Sequence, residues 1–387
     1  MTADAVSGVW TYALALMEAL RPAGVTFTLA VMGPPPSQAQ REQAEAMSNV
    51  RLRAHPYRLE STPDCDRDVH TAGRWLQRLV TRIAPDVVHV NGYAHAAVPF
   101  GRPVLSVAHG CVRSWWRAVK HEPAPASWNS YTRRVQAGLA ASTRIVAPTH
   151  AMAETLRQEY ACNGRIEVIA HGLPPAPHPV RLASYATRES CIFAAGRFWD
   201  DATNLAALDA SAATLPWPVI VAGSLDDPGP NGPDGATATA RMPRHVWHLG
   251  QLDRADVQQR CARAAIYVHP ARYEPFGLDV LEAAQAGCAL VLGDVPSLRE
   301  VWGDAAVYVD PDDRPGLRAA LAQAIANRPL RARLAAAARA RAGVLTDQRM
   351  AERYLALYRT LAHAASAERQ AVTRDVAVTR EAAACGL

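Results

Sequence analysis

The chain has almost no lysine. Lys120 is the single one among 41 basic residues, and all the others are arginines. With a formal net charge of +5 over 387 residues and no basic block, it carries nothing of the polybasic kind that grips nucleic acid, although a mild positive balance suits anionic small molecules. The seven cysteines include no C-x-x-C pair, which excludes a redox motif or a disulfide framework and points to reduced thiols in a cytosolic enzyme. No apolar run approaches the ~20 residues of a membrane-spanning helix, and the amino terminus has no signal pattern. The expected location is cytoplasmic, with peripheral membrane contact left open. None of the 13 histidines falls at a zinc-site spacing. What is present is ordinary: 49% hydrophobic and 20% charged residues, enough for sizeable cores, and a length that predicts two domains.

Against those absences one stretch stands out, His269–Gly287, HPARYEPFGLDVLEAAQAG. Ile266–His269 before it is a short apolar run of the buried-strand kind. Pro275 restricts Glu274 to an extended conformation, and Gly277 lets the backbone enter the next element closely. Leu278, Leu281 and Ala284, with Val280 and Ala283 beside them, recur at helical spacing, and Gly287 suits a helix stop. The N–H groups of Phe276, Gly277 and Leu278 are then expected to point unpaired into solvent at a positive helix end, a ready anion site. Glu274 and Glu282 can flank one elongated ligand with a phosphate between them. The plainer reading, a strand-to-helix corner with two solvated carboxylates, is disfavoured by EPFGL, the apolar face and the terminal Gly together.

E-P-F-G-L followed by Glu282 resembles the E-x7-E signature of retaining glycosyltransferases with the GT-B fold, family 4. The resemblance implies an α/β architecture of two Rossmann-like domains facing each other across a cleft. It implies transfer of a sugar from a nucleotide-sugar donor to an unidentified acceptor, with retention at the anomeric carbon. Glu274 then touches the donor sugar, Glu282 the ribose, and the amides of Phe276, Gly277 and Leu278 the diphosphate. Ala194–Leu205, AAGRFWDDATNL, resembles the family's second donor-binding stretch. Arg197 falls where a planar guanidinium can meet two phosphate oxygens, and Thr203 where the family carries a Lys. Gly223, at a strand end facing the same cleft, and Leu252, in a segment similar to the one that meets the nucleotide base, complete the donor set. On the other side, Gly8 stands in a turn that lies beside the family's reaction centre, with Ser7 replacing a second glycine. His109 ends a strand where the family often places a His. Glu274, His109 and Arg197 are the expected catalytic residues. No metal and no cofactor are assigned, and Asp64-Cys65-Asp66 reads as a turn before a helix.

Along the chain, strand-like runs at Val25–Met32, Asn49–Ala54, Asp86–Asn91, Val104–His109 and Arg144–Pro148 alternate with helical stretches at Gln38–Met47, Ala72–Ile83 and Thr149–Tyr160, which predicts a parallel sheet. Residues 1–172 form the expected acceptor-binding domain and 190–345 the nucleotide-sugar domain. Residues 346–387 supply a last helix that returns to the first domain, then a loose tail. Gly172–Ser190, with four prolines, reads as the linker, Asp226–Gly235 as a mobile loop, and Leu330–Ala342 as a helix with a solvated basic face. Met1–Asp4 resembles only the last residues of a central strand, so the expectation is that coding sequence continues upstream. Ser114–His121, SWWRAVKH, could stack on a sugar acceptor or lie on a membrane; a helix packed over the cleft is preferred. Thr203 in place of Lys also supports a second reading, a catalytically weak homologue that binds nucleotide or sugar as a partner subunit. A pyridoxal-phosphate phosphorylase of similar fold would need a lysine in the second domain, and Lys120 lies in the first.

Overall fold

The computed structural model describes residues 1–175, 188–227 and 240–384, with side chains as far as 367. Its strands come from short continuous apolar runs such as VLSV, AAIYVH and ALVLG, buried on both faces and therefore free of polar alternation. All the strand pairings among the described residues are parallel. The first half runs β1 (Thr2–Ala3), α1 (Gly8–Leu20), β2 (Phe27–Val31), α2 (Gln38–Glu45), β3 (Val50–Ala54), α3 (Asp66–Ile83), β4 (Val88–Val90), β5 (Val104–Val107), α4 (Val112–Val119), α5 (Asn129–Ala141), β6 (Arg144–Ala147), α6 (His150–Tyr160) and β7 (Ile166–Val168). Strands pair in the orders β1-β2-β3 and β4-β5-β6-β7. Asn91, just past β4, joins the two sets: its backbone N–H donates to Thr2 Oγ1 (2.9 Å) and its Nδ2 to Thr2 O (2.7 Å). The order reverses where β1 meets β4, and that is where a doubly wound sheet binds ligands.

The second half runs β8 (Glu189–Ala195), α7 (Leu205–Ala212), β9 (Val219–Ala222), β10 (Trp247–His248), α8 (Arg254–Arg263), β11 (Ala264–His269), α9 (Leu278–Gln285), β12 (Ala289–Gly293), α10 (Pro296–Trp302), β13 (Ala306–Val309), α11 (Arg314–Ala326), α12 (Arg328–Ala342) and α13 (Asp347–Ala384). Its sheet has the order β10-β9-β8-β11-β12-β13, with the switch between β8 and β11. α13 then packs on α1, Tyr354 and Tyr358 reaching the rings of Tyr12, His89 and Phe27. No helix among the described residues is long and apolar enough to cross a membrane.

The chain crosses between halves twice, and the crossings lie side by side. Leu173 N–H donates to Leu345 O and Asp347 N–H to Leu173 O, both at 3.2 Å. A Cβ on Gly172 would stand 2.1 Å from Thr346 O, so only glycine fits. The expected linker falls mostly, and the expected loop from residue 228 on, outside the described residues.

Several elements depart from expectation for physical reasons. α3 begins at Asp66, six residues early, because Asp66 and Asp68 suit its positive end and Asp64 turns the chain at φ 51°. The basic face of α12 is not wholly solvated: Arg331 is buried, donates to Ala324 O and Ile325 O, and stacks on Trp217. α13 continues to Ala384 through the residues read as a loose tail.

Candidate functional site

A cleft of about 620 Å³ separates the halves, lined by the carboxyl ends of β1, β4, β8 and β11 and by the starts of α1 and α9. Both sheet switch points open into it, which places any ligand against strand ends and helix amino termini at once. All the residues expected to act, from Gly8 to Glu282, lie on its walls.

Glu274 occupies the corner between β11 and α9. Its Oε1 accepts the N–H groups of Phe276 (3.1 Å) and Gly277 (2.8 Å), and its Oε2 lies 3.3 Å from His269 Nε2. Burial works against its charge, but the bond and charge of His269 and the two amides outweigh it, so the carboxyl titrates below the usual range. This corrects one expectation. The amides of Phe276 and Gly277 do not stand free; the carboxylate of their own loop takes them. The local sequence explains why: Gly277 sits at φ 88°, turning its N–H back toward Glu274, and a Cβ there would meet Leu298 at 3.1 Å. Ser297 Oγ donates to Glu274 O and fixes the loop from α10.

Glu282, just over one turn into α9, accepts Arg254 Nε–H at 2.6 Å, and its side chain is 9% exposed. Burial raises its carboxyl despite the arginine. Between the two glutamates Asp279 opens to the cleft from the first turn of α9. Enclosure by the cleft walls, then the charge of Glu282, lifts its carboxyl to about 6. Sequence reasoning passed over Asp279, although an acidic side chain directly after EPFGL was there to be seen.

On the opposite lip, Arg197 lies 3.7 Å from Asp200, half exposed, with its guanidinium 5.5 Å from the Trp199 ring. Thr203 is beside it, but its hydroxyl donates within its own turn, to Asp200 O (2.8 Å) and Arg197 O (3.2 Å). Gly223 meets β8 so closely that a Cβ would fall 1.8 Å from Gly196 O, and Leu252 is partly buried under the same wall. Gly8 starts α1 directly across the cleft; a Cβ on it would touch Leu278 Cδ1 at 3.4 Å.

The first-half wall is different in kind. His109 Nε2 lies 2.9 Å from Asn91 Oδ1, its ring set edge-on to Tyr12 and stacked on His171. Burial lowers its pKa to about 3, so the imidazole is neutral. His95 is buried against Val69 O and titrates at about 4, also through burial.

SWWRAVKH forms α4 and its flank and spans the cleft. Trp115 Nε1–H donates to Asp200 Oδ1 (2.9 Å), Lys120 pairs with Asp201 (2.8 Å), and Tyr273 OH accepts from Cys111 N and Ser114 Oγ (2.9 Å each). Among the described residues no three His, Cys, Asp or Glu side chains are grouped to hold a metal.

The chain resembles known proteins along most of its length. Glycosyltransferase Family 4 matches residues 6–176, and Glycosyl transferases group 1 matches residues 205–341. Over 87 residues the chain is 38% identical to the O-antigen chain mannosyltransferase B of Escherichia coli, covering 22% of this chain and 23% of that protein. The alignments with curated relatives thus span only about a quarter to a third of those proteins. Sucrose-phosphate synthase from Thermosynechococcus elongatus superposes with a TM-score of 0.70 at 19% identity, over 91% of this chain and 93% of that one. HepE of Anabaena in complex with UDP-glucose gives 0.69 at 15% identity, over 93% and 99%. At such identities the superpositions speak to the fold, which is GT-B. With two consecutive family matches laid over that fold, the protein belongs to the GT-B glycosyltransferases of family 4.

Proposed function

We propose that the protein moves a glycosyl group from a nucleotide-sugar donor to an acceptor hydroxyl with retention at the anomeric carbon and without a metal. One observation carries the reading: the amino terminus of α9, with Glu274 before it and Glu282 behind, opens where both sheets switch direction. Glu282 is suited to accept from ribose hydroxyls, and Arg197 to meet the diphosphate. The amides of Phe276 and Gly277 reach phosphate oxygens once Glu274 releases them. The donor therefore exchanges places with a side chain: the phosphate takes the amides, and the freed carboxylate accepts from a sugar hydroxyl. Negative charge grows on the leaving diphosphate as the glycosidic bond breaks, and donors fixed in a water-poor cleft stabilise it without reorganising. His109, neutral at working pH, serves as a hydrogen-bonding group on the acceptor side. α4 and Tyr273 close the cleft against water, whose attack on the donor is the competing reaction.

The experiment is thermal denaturation against a panel of sugar nucleotides, followed by transfer or donor hydrolysis with the best of them. Binding at ~100 times the dissociation constant stabilises by about 2.7 kcal/mol, a readily measured melting shift. No shift with any sugar nucleotide would overturn the reading, and activity that disappears in EDTA and returns with Mg²⁺ would overturn its metal-free part. A second reading, a binding subunit with little turnover, is favoured by the internal bonding of Thr203, which leaves Arg197 without a second cation in its stretch. Tight nucleotide binding with no donor cleavage would decide for it.

A further inference from the structure

Behind the cleft wall, side chains from β4, β5 and α13 form one chain of hydrogen bonds. Asn91 Nδ2 donates to Thr2 O at 2.7 Å. A carbonyl can only accept, so this bond fixes the amide orientation and turns Oδ1 the other way. There Oδ1 meets two imidazoles, His89 Nε2 at 3.0 Å and His109 Nε2 at 2.9 Å. An amide oxygen is also an acceptor only. Both Nε2 atoms must therefore carry their protons. His89 and His109 are withdrawn from solvent, which holds both neutral, so each has a bare Nδ1. For His89 that atom lies 2.6 Å from Tyr358 OH, which must then be the donor. For His109, Nδ1 has no partner among the described residues, and the residue lines the cleft.

We propose that Asn91 is a positioning residue that locks His109 as its Nε2–H tautomer, with His89, itself held by Tyr358 of α13, bracing the same amide oxygen, so that His109 offers the cleft a bare Nδ1 as hydrogen-bond acceptor. The role of that acceptor, orienting a substrate hydroxyl, rests on the reading of His109 given above. The lock itself does not. Asn91 follows β4 directly, and a hydrophobic residue there would leave the two imidazole N–H groups without their acceptor. The aromatic packing keeps the arrangement rigid. Tyr12 stands edge-on to His109 at 4.8 Å, Tyr354 lies over His89 at 5.6 Å, and His171 stacks on His109 at 5.1 Å. Because Tyr358 belongs to the helix that returns from the second half, that helix is tied through His89 to the amide that holds His109.

The direct test is nitrogen-15 histidine spectroscopy of the unmodified chain at neutral pH, with His109 identified by the resonances lost in His109→Gln. The expected pattern is a protonated Nε2 and a bare Nδ1. A protonated Nδ1, or an imidazolium, overturns the lock without any variant having to fold. Asn91→Asp then places a carboxylate between the two rings, which should raise their titration by about 1–3 pH units while keeping the side-chain volume. The other groups packed around them are the Met1 amino group, whose pKa burial lowers to about 5, His171, Tyr12, Tyr354 and Tyr358, all retained in the variant. A His109 that titrates as before contradicts the contact. In Tyr358→Phe the His89 Nδ1 resonance should move while His109 keeps its pattern; an unmoved His89 contradicts the bracing from α13. Asn91→Leu frees the His109 tautomer, and cleavage of the best sugar nucleotide should fall at least tenfold while affinity for the nucleoside diphosphate is unchanged. If the tautomer is released and cleavage is undiminished, the positioning role fails although the lock is real. If affinity and cleavage fall together, the effect is structural and the role fails as well.

Discussion

Two patches that face each other across the cleft, the corner before α9 and the surround of Asn91, differ in charge. The second-half wall is charged: Glu274, Asp279 and Glu282 stand along α9 with His269, Arg254 and Arg197 among them. The first-half wall carries Asp4, Arg58 and Glu60 toward its edge, but around Asn91 it presents a neutral patch of His109 and His171, backed by Tyr12 and His89, with burial holding the imidazoles neutral. A diphosphate needs fixed donors, and carboxylates whose charges are compensated can hold sugar hydroxyls beside it. An acceptor hydroxyl needs a dry, uncharged surround that directs it without binding anions in its place. On the proposed function each half of the fold does one task, and the two meet at Gly8 and Leu278, where a Cβ on Gly8 would touch Leu278 Cδ1.

The sharpest way to break the comparison is Glu274→Ala. On the proposed exchange, the carboxylate both holds the donor sugar and occupies the amides that the phosphate needs. Removing it should lower turnover by on the order of 10²–10³, the size of losing one preorganised contact to developing charge. Nucleoside diphosphate binding should hold steady or tighten, because the amides are now free and one negative charge is gone. Single-turnover cleavage and calorimetric binding measure the two separately. Weaker binding in the variant would mean that Glu274 organises the loop rather than competing for it.

Much of the charged wall could be read from the sequence, because its parts lie within one strand-to-helix corner. EPFGL, the spacing of Glu274 and Glu282, and the apolar face of α9 are all local signals. The occupation of the Phe276 and Gly277 amides was not legible, since it depends on which way a flexible side chain folds back. The neutral wall was hardly legible. His109 and Asn91 could be placed at strand ends, but His171 and Tyr358 come from distant parts of the chain, and no spacing announces the contacts that gather them around His89 and Asn91. The same holds for α5, α8 and β7, whose formation rests on packing more than on periodicity, and for α4, where Trp115 finds a partner in the other half. Arg331 shows the converse: a residue that reads as solvated in an Ala/Arg tract is taken inside by Trp217 and two carbonyls.

A second prediction uses the neutral wall. His89, His109 and His171 all have folded-state titrations below the ordinary value of 6.5. The unfolded chain therefore binds more protons than the folded one as pH falls through that value. Their contribution is intact above 6.5 and is lost progressively toward lower pH, at up to about 1.4 kcal/mol per pH unit for each imidazole. Denaturant midpoints should fall between pH 6.5 and 4, and less steeply in His171→Phe, whose ring stacks between His109 and Phe276 without a hydrogen bond at Nδ1. An unchanged slope in that variant would remove His171 from the account.

Thr203→Lys tests whether the charged wall is short of one cation. A charged hydrogen bond to phosphate is worth roughly 1.5–3 kcal/mol when well placed, so tenfold gains in nucleoside diphosphate affinity and in single-turnover rate are expected. Asp200 is the rival partner, since it already lies 3.7 Å from Arg197 and its carbonyl holds the Thr203 hydroxyl. If the new ammonium pairs there, affinity will not rise, and position 203 does not face the diphosphate.

The smallest expected effect belongs to Asp279, and it separates charge from shape on the charged wall. The residue opens to the cleft on the first turn of α9, next to the amides that the diphosphate must reach, and its carboxyl titrates at about 6 because the cleft encloses it beside Glu282 and Glu274. Above that pH it is an anion facing an anion; below it, a neutral acid able to donate. Repulsion across solvent at about 4 Å is on the order of 1 kcal/mol, so Asp279→Asn should bind the nucleoside diphosphate about fivefold more tightly at pH 8. At pH 5 the two proteins should bind alike. The phosphate also gains a proton near pH 6, which changes both affinities together, so the ratio of variant to parent at each pH is the quantity to follow. A ratio that rises through pH 6 places the Asp279 charge beside the diphosphate. A ratio that stays flat across the range would mean that the helix start is filled by some other part of the donor, and the line drawn from Glu274 to Glu282 would then run past the phosphate rather than across it.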